Sequence, residues 1–353
     1  MPGIIVFSIR FNSFLIFVGI GIFVISTPTQ AEPESARLLF TGDILLSRQV
    51  ADELQRRKIS PWVHFADLFH SAQWVSGNFE GTIGPALECL KSARPCFASP
   101  DFAVQLLKMA GFTGLTLENN HAGDVGTQGR ERTRRLLEEA SLAAVDFENS
   151  PHIAQVGDTK LALLSISLIP AADGRVQQIP SIEISQRLRL ARERAALVVV
   201  SIHWGSEYQR LTGATQRAQA RWLIRQGADL IVGHHPHVVQ LPECVDGHPV
   251  FFSLGNHVFD QTYPPTKEGL IADCRLSAGR LSCQAIRTHT QGGTSIPNPT
   301  DVDAAAHSAL TACTLELKQP VGLPHPEIAV AGHAAGSRAR LPTRRAAAFC
   351  GRN

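Results

Sequence analysis

Five short segments carry carboxylates, amides and imidazoles in company that turns do not ordinarily need: Asp43 behind Thr41-Gly42, Asn78 and Glu80 around Phe79, Asn119-Asn120-His121, His203, and His234-His235-Pro236-His237. Imidazole nitrogen with carboxylate and amide oxygen, and no thiolate nearby, suits divalent ions such as Zn, Fe or Mn. Two such ions could activate a water and clamp both oxygens of a displacement at phosphorus. Asp43 and Glu80 then form an oxygen-rich half that holds or bridges the ions. His203, His235 and His237 form a nitrogen-rich half. Asn120 and His121 are adjacent, so a strand-like backbone cannot aim both at one atom. One is expected to ligate while the other faces the substrate as a proton donor, a role histidine suits near neutral pH.

Each residue taken singly has a plainer explanation. Asp43 could initiate a turn and Asn78, Asn119 and Asn120 could close Asx-turns; a histidine after a strand is usually a hydrogen-bonded loop residue. The 234–237 segment resists that reading, because three imidazoles in four residues are rarely needed by a turn. His64 and His70, beside Trp62 and Phe65, read as structural. The other histidines lack comparable company.

The elements that must position these groups follow from hydrophobic patterning. Strands are expected at residues 37–40, 73–76, 112–117, 160–168, 196–202, 229–232 and 250–254. Helices are expected at 45–57, at 100–110 with Ser99 as N-cap and Pro100 in the first position, at 129–140 capped by Thr127, at 186–194 and at 215–226. Residues 269–276 and 281–289 read as a hairpin about Ser277-Ala278-Gly279. Alternating strands and helices indicate an α/β fold. Every polar cluster directly follows a strand, and in open α/β sheets the ligand crevice lies at the carboxyl ends of the strands. Beyond residue 290 the pattern fails except for a strand at 311–317, so 291–353 is expected to be a Pro/Gly/Ala/Arg-rich tail.

Composition sets the outer bounds. At 44% hydrophobic, the 353 residues can bury a substantial core, which excludes a disordered or fibrous chain. The net charge is +2, but residues 328–353 hold five arginines and no acid. Elsewhere 28 basic residues face 31 acidic ones, a net of −3, which argues against nucleic acid as a partner. Arg10, the apolar run at 14–25 and the small residues Thr29 and Ala31 are expected to be a secretory signal over 1–31, or an N-terminal membrane anchor. Seven cysteines without CxxC spacing suit disulfides in an oxidising compartment. Cys89 with Cys96 and Cys274 with Cys283 are the candidate local bridges, and Cys350 is the expected unpaired thiol.

Together Thr41-Gly42-Asp43, Gly77-Asn78-Phe79-Glu80, Asn119-Asn120-His121-Ala122-Gly123-Asp124-Val125-Gly126, His203-Trp204-Gly205-Ser206-Glu207-Tyr208, Gly233-His234-His235-Pro236-His237-Val238-Val239-Gln240 and Ser253-Leu254-Gly255-Asn256-His257-Val258-Phe259-Asp260 resemble the CapA family. These are poly-γ-glutamate capsule synthesis proteins of the calcineurin-like metallophosphatase superfamily. The resemblance covers residues 37–290 and implies a four-layer α/β/β/α sandwich. It assigns Asp43, Glu80, Asn120, His203, His235 and His237 to metal positions and His121, with Asp43, to catalysis. Asn78, Asp124, Glu207, His234 and Asp260, in the same motifs, become candidate substrate contacts. Gly255-Asn256-His257 imitates the superfamily's Gly-Asn-His signature but follows the histidine cluster; by motif order Asn119-Asn120-His121 is the equivalent. Two departures matter. The opening Asp-x-His is here Asp43-Ile44-Leu45, without its histidine, and Asn78-Phe79-Glu80 replaces the second aspartate motif. The resemblance implies one or two divalent ions (Mn, Fe, Zn or Mg), action outside the cytosol in a secreted, periplasmic or membrane-anchored form, and an anionic polymer or phosphoester substrate. Membrane synthase subunits are the implied protein partners. A non-catalytic polymer-binding scaffold and a general extracytoplasmic phosphoesterase are the alternatives.

Overall fold

Residues 35–291, 296–311 and 313–320 are described by a computed structural model. The segment 1–31, the arginine-rich end and Cys350 lie outside them. Two large sheets dominate. The nine-stranded sheet runs in the order Pro297–Val302, Arg280–Thr290, Glu268–Ser277, Ala36–Ile44, Trp74–Phe79, Gly114–Thr116, Ala143–Val145, with Asn256–Val258 also pairing with Ala36–Ile44 and Leu315–Glu316 with Arg280–Thr290. The six-stranded sheet runs Glu243–Val245, His248–Phe251, Leu230–His234, Leu197–His203, Thr159–Ser167, His152–Val156.

Side chains alternate across a strand with a period of two, and that alternation sorts them into three cores. Leu38, Phe40 and Trp74 of the first sheet pack with Leu161, Leu163, Leu197, Val199, Leu230 and Val232 of the second. Leu39 and Val75 point the other way, to Leu54 of helix Arg48–Arg57, Leu107 of helix Phe102–Ala110 and Leu137 of helix Gly126–Glu139. Ala162, Leu164, Val198, Val200 and Ile231 pack with Leu188 of helix Ile182–Arg194 and Leu223 of helix Ala214–Gln226. Truncating a core leucine such as Leu39 or Leu163 to alanine is the kind of change that costs ~2–5 kcal/mol.

The strands that lead into the polar segments are parallel. Ala36–Ile44 pairs in parallel with Trp74–Phe79 and with Asn256–Val258, and Trp74–Phe79 with Gly114–Thr116. Thr159–Ser167, Leu197–His203 and Leu230–His234 are likewise parallel. Their carboxyl ends deliver the five polar clusters to one rim. The hairpin Glu268–Ser277/Arg280–Thr290 turns at Ala278-Gly279, both with positive φ (48° and 71°) as a two-residue primed turn requires.

Several sequence expectations are corrected. Ser99 does not cap a helix: it lies in the short strand Ala98–Ser99, and the helix begins at Phe102 after Asp101. Thr127 sits inside helix Gly126–Glu139 rather than capping it. Residues beyond 290 are not all irregular. Pro297–Val302 extends the first sheet, helix Ala304–Leu310 follows, and Cys313 is bonded to Cys244. Cys89–Cys96 and Cys274–Cys283 are also bonded, the latter joining directly opposed residues of the hairpin.

Candidate metal centre

Close backbone approach sets Asp43 against the Gly255-Asn256 segment. A Cβ on Gly42 would lie 2.0 Å from the carbonyl oxygen of Gly255, so only glycine lets the Asp43 amide reach that oxygen at 2.9 Å. His235 and His237 hold φ of 95° and 56°, a left-handed backbone that costs a non-glycine residue roughly 1–2 kcal/mol each. Such strain is sustained where the surroundings fix it, and here it turns both rings inward.

Asp43 is fully buried and heavily partnered. Its Oδ1 accepts from Asn78 Nδ2 at 2.9 Å and lies 3.1 Å from His234 Nδ1. Its Oδ2 accepts from the His235 amide at 3.3 Å and stands 3.3 Å from His237 Nδ1. Burial alone would raise its pKa, but the bonds and charges of His234 and His237 outweigh it and hold the carboxyl well below its ordinary range. Glu80 is the opposite case. Both of its oxygens are buried without a hydrogen bond, and His237 Nε2 is 3.6 Å away. Burial, helped by the neighbouring Asp43 charge and opposed by His237, pushes its pKa up to about 8. His237, whose Nδ1 donates to Asn256 Oδ1 at 2.9 Å, is lowered by burial but raised more strongly by Glu80 and Asp43, to about 9.

Imidazoles gather on the other side. His203 Nε2 is 2.8 Å from Asn120 Oδ1 and 3.1 Å from His235 Nδ1, so one of the two ring nitrogens carries the hydrogen between them. Burial and then the charge of His237 push His235 down to about 4, and burial and then His235 push His203 well below its ordinary value. Ligand atoms of Asp43, Glu80 and His237 fall within 4.8 Å of one another, as do those of Glu207, His235 and His237. These residues fit a divalent cation. The donors are hard to borderline oxygen and nitrogen, and the two partnerless oxygens of buried Glu80 are what such an ion would satisfy.

His121 is set apart from this cluster. Its Nδ1 lies 2.9 Å from Asp124 Oδ2, leaving Nε2 as the nitrogen free to exchange a proton. Its ring stacks on Phe97 with centroids 3.6 Å apart. Asp124 also accepts from the Phe97 amide at 2.7 Å, fixing ring and phenyl together.

Three of the five expected substrate contacts are buried and bonded to or packed against other residues of the site. Asn78 donates to Asp43 and accepts from Asn119, Asp124 orients His121, and His234 lies against Asp43. Glu207 joins His235 and His237, and Asp260 pairs with Arg48. Sequence reading missed Arg48, Phe97 and Gln261, none of which lies in a polar cluster at the end of a buried strand, and it noted Asn256 only within the imitation signature, without a role at the site. His257, the imitation signature, is buried against Phe65 and Phe69 with neither ring nitrogen bonded.

The model of the bacterial capsule synthesis protein family PGA_cap matches residues 37–261, which contain every group just described. The chain belongs to this family. PGA_cap proteins are metallophosphoesterase-like, in keeping with a rim of carboxylates and imidazoles. The chain is 31% identical over 274 residues to the capsule biosynthesis protein CapA of Bacillus anthracis, an alignment covering 69% of this chain and 65% of that protein. It is 30% identical over 270 residues to the PGA biosynthesis protein CapA of Bacillus subtilis (strain 168), covering 71% of each. It therefore spans about two thirds of the length of these relatives. The hairpin and the strands after residue 261 fall outside the PGA_cap match although they complete the same sheet.

Proposed function

We propose that this chain acts in the synthesis of a capsule-like or poly-γ-glutamate-like anionic polymer, outside the cytosol, as a metal-dependent hydrolase. The observation that carries the reading is Glu80, a buried carboxylate with two unsatisfied oxygens between Asp43 and His237. The three apolar cores support a four-layer α/β/β/α arrangement of the metallophosphatase type. The signal-like 1–31 segment and three disulfides support an oxidising compartment, reached by secretion or by an N-terminal anchor.

Asp43, Glu80 and His237 would hold one divalent ion, with His235, His203, Asn120 and Glu207 available to complete it or to hold a second. Bound there, the ion supplies Lewis acidity and a more acidic water. The chain's own residues do the rest. Asn78 and His234 keep Asp43 in place, and its depressed pKa keeps it ionised. Asp124 holds the His121 ring so that Nε2 gives a proton to a leaving oxygen or nitrogen. Phe97 covers one face of that ring and excludes water from it.

Leu45 favours a second reading, a non-catalytic polymer-binding subunit of a membrane synthase. It is fully buried in the apolar core where the superfamily pattern has a histidine ligand. The test is hydrolysis of poly-γ-glutamate and of a simple phosphodiester by the full chain supplied with Mn, Fe, Zn or Mg. Metal-dependent turnover that His121→Ala abolishes while metal content holds is the expected result. Polymer binding without turnover under every metal overturns the hydrolase reading in favour of the scaffold.

A further inference from the structure

Beside the metal centre lies a groove of about 470 Å³ lined by Arg48, Gln49, Tyr208, Asp260, Gln261 and Tyr263, among others. Both of its walls are tied to the centre. On one wall Tyr208 accepts from Gln261 Nε2 at 3.2 Å, Gln261 accepts from Asn256 Nδ2 at 2.9 Å, and Asn256 bonds His237. On the other, the Arg48 guanidinium lies 4.4 Å over the Phe97 ring, which stacks on His121. Two lining residues, Gln261 and Arg48, are thus one residue removed from His237 and from His121 respectively.

Arg48 is held in an unusual way. Its φ is 51°, left-handed for a non-glycine residue. Phe97 supports one face of the guanidinium and Asp260 takes Nη2, while Nε and Nη1 have no partner among the described residues. Nη2 belongs to both bidentate edges of a guanidinium and carries two hydrogens, so the one Asp260 leaves, with the open nitrogen beside it, is a fork for two oxygens of one group. Tyr208 and Tyr263, 43% and 52% exposed with ring centroids 5.8 Å apart, add flat amphipathic surface of the kind that packs on an acyl or amide chain.

We propose that this groove is a carboxylate-binding subsite in which Arg48 receives a side-chain carboxylate of an acidic polyamide. The proposal rests on the polymer reading above and deepens it. The Arg48–Asp260 pair carries no net charge, so it disfavours a phosphate, at about −1.5 to −2 near neutral pH, more than a monoanionic carboxylate bound through the open guanidinium hydrogens. Asp260 thereby sets the charge preference as well as the position of Arg48.

The test is titration of the full chain, at fixed ionic strength, with a γ-linked glutamate decamer, its fully side-chain-amidated counterpart and inorganic phosphate, with metal content measured in parallel. Wild type is expected to bind the carboxylated decamer at least tenfold more tightly than the amidated one. Arg48→Gln is expected to erase that preference, and Arg48→Lys to restore part of it by charge without the fork. Equal affinity for the two decamers in wild type overturns the subsite, as does a preference that survives in Arg48→Gln, or phosphate binding that depends on Arg48 and displaces the decamer. A chain that holds no metal yet keeps the Arg48-dependent preference supports the subsite and removes the hydrolase reading, so the two fail separately.

Discussion

At one end of the metal centre Glu80 is pushed up to about 8 and His237 up to about 9; at the other His235 is pushed down to about 4 and His203 well below its ordinary value. All four are buried. Burial opposes charge on each of them, and the difference lies in the company. Beside ionised Asp43, Glu80 and His237 retain their protons, whereas imidazoles beside an amide and other imidazoles shed them. The imidazole end is therefore already in the neutral form that ligates a metal. The acidic end must lose protons first, and a cation is what would let both ends relax.

The strongest way to break this comparison is to remove the group shared by both candidate ligand sets. His237→Ala takes a ligand from each and leaves Asp43 and Glu80 facing each other without their imidazole. Metal content in that variant is expected to fall by more than the roughly 10–100-fold that loss of an outer-shell partner costs. His203→Ala, at the neutral end, should lose less; equal losses, read by elemental analysis, would erase the asymmetry.

Protons sharpen the same contrast. Metal must displace protons held by Glu80 to about 8 and by His237 to about 9, so apparent affinity should climb as pH rises from 7 to 9, by up to about tenfold per unit for each proton released. Competition with a chromophoric chelator across that range measures it, and Glu80→Gln should flatten the slope. The sign reverses for stability without metal. Both groups have raised pKa values, so the stability they give is full below their ordinary 4.5 and 6.5 and is lost as pH climbs through 8 and 9. Thermal unfolding with a chelator present should show that decline, and saturating metal should cancel it.

Asn78 joins the two ends, donating to Asp43 and lying 3.4 Å from His203 Nδ1. Asn78→Ala is expected to weaken metal binding by roughly 10–100-fold, as an outer-shell loss does. Unchanged affinity would mean that Asp43 needs no positioning.

His257 provides the smallest effect and isolates burial from company. It meets neither carboxylate nor imidazole, and burial alone pushes it down to about 3. Its lowered pKa means that stability present above 6.5 is lost as pH falls towards 3. His257→Phe should remove that acid sensitivity and gain ~1–3 kcal/mol at neutral pH by removing two unsatisfied nitrogens, read by denaturant unfolding.

Much of this was legible in the sequence because each polar cluster ends an apolar strand, and parallel strands deliver such ends to one rim. Asp43, Glu80, His203, His235 and His237 could be named for that reason. Burial was not legible: Asn78, Asp124 and His234 have the composition of ligand contacts, and the fold sets them against Asp43 and His121. Arg48 escaped notice because it opens an ordinary amphipathic helix, and only tertiary folding brings Phe97 beneath it. The strand Pro297–Val302 was hidden by its prolines. It pairs at the edge of the sheet, where missing amide hydrogens are tolerated. Cys244–Cys313 spans 69 residues, a separation that carries no local signal.

The central claim, that Glu80, Asp43 and His237 hold a divalent cation, is tested most directly by elemental analysis. The full-length protein is purified after supplementation with Mn, Fe, Zn or Mg in turn, beside His237→Ala handled identically. At least one ion per chain in wild type, lost from the variant while its fold persists, is the expected result. A folded wild-type chain that retains no metal under any supplementation contradicts it.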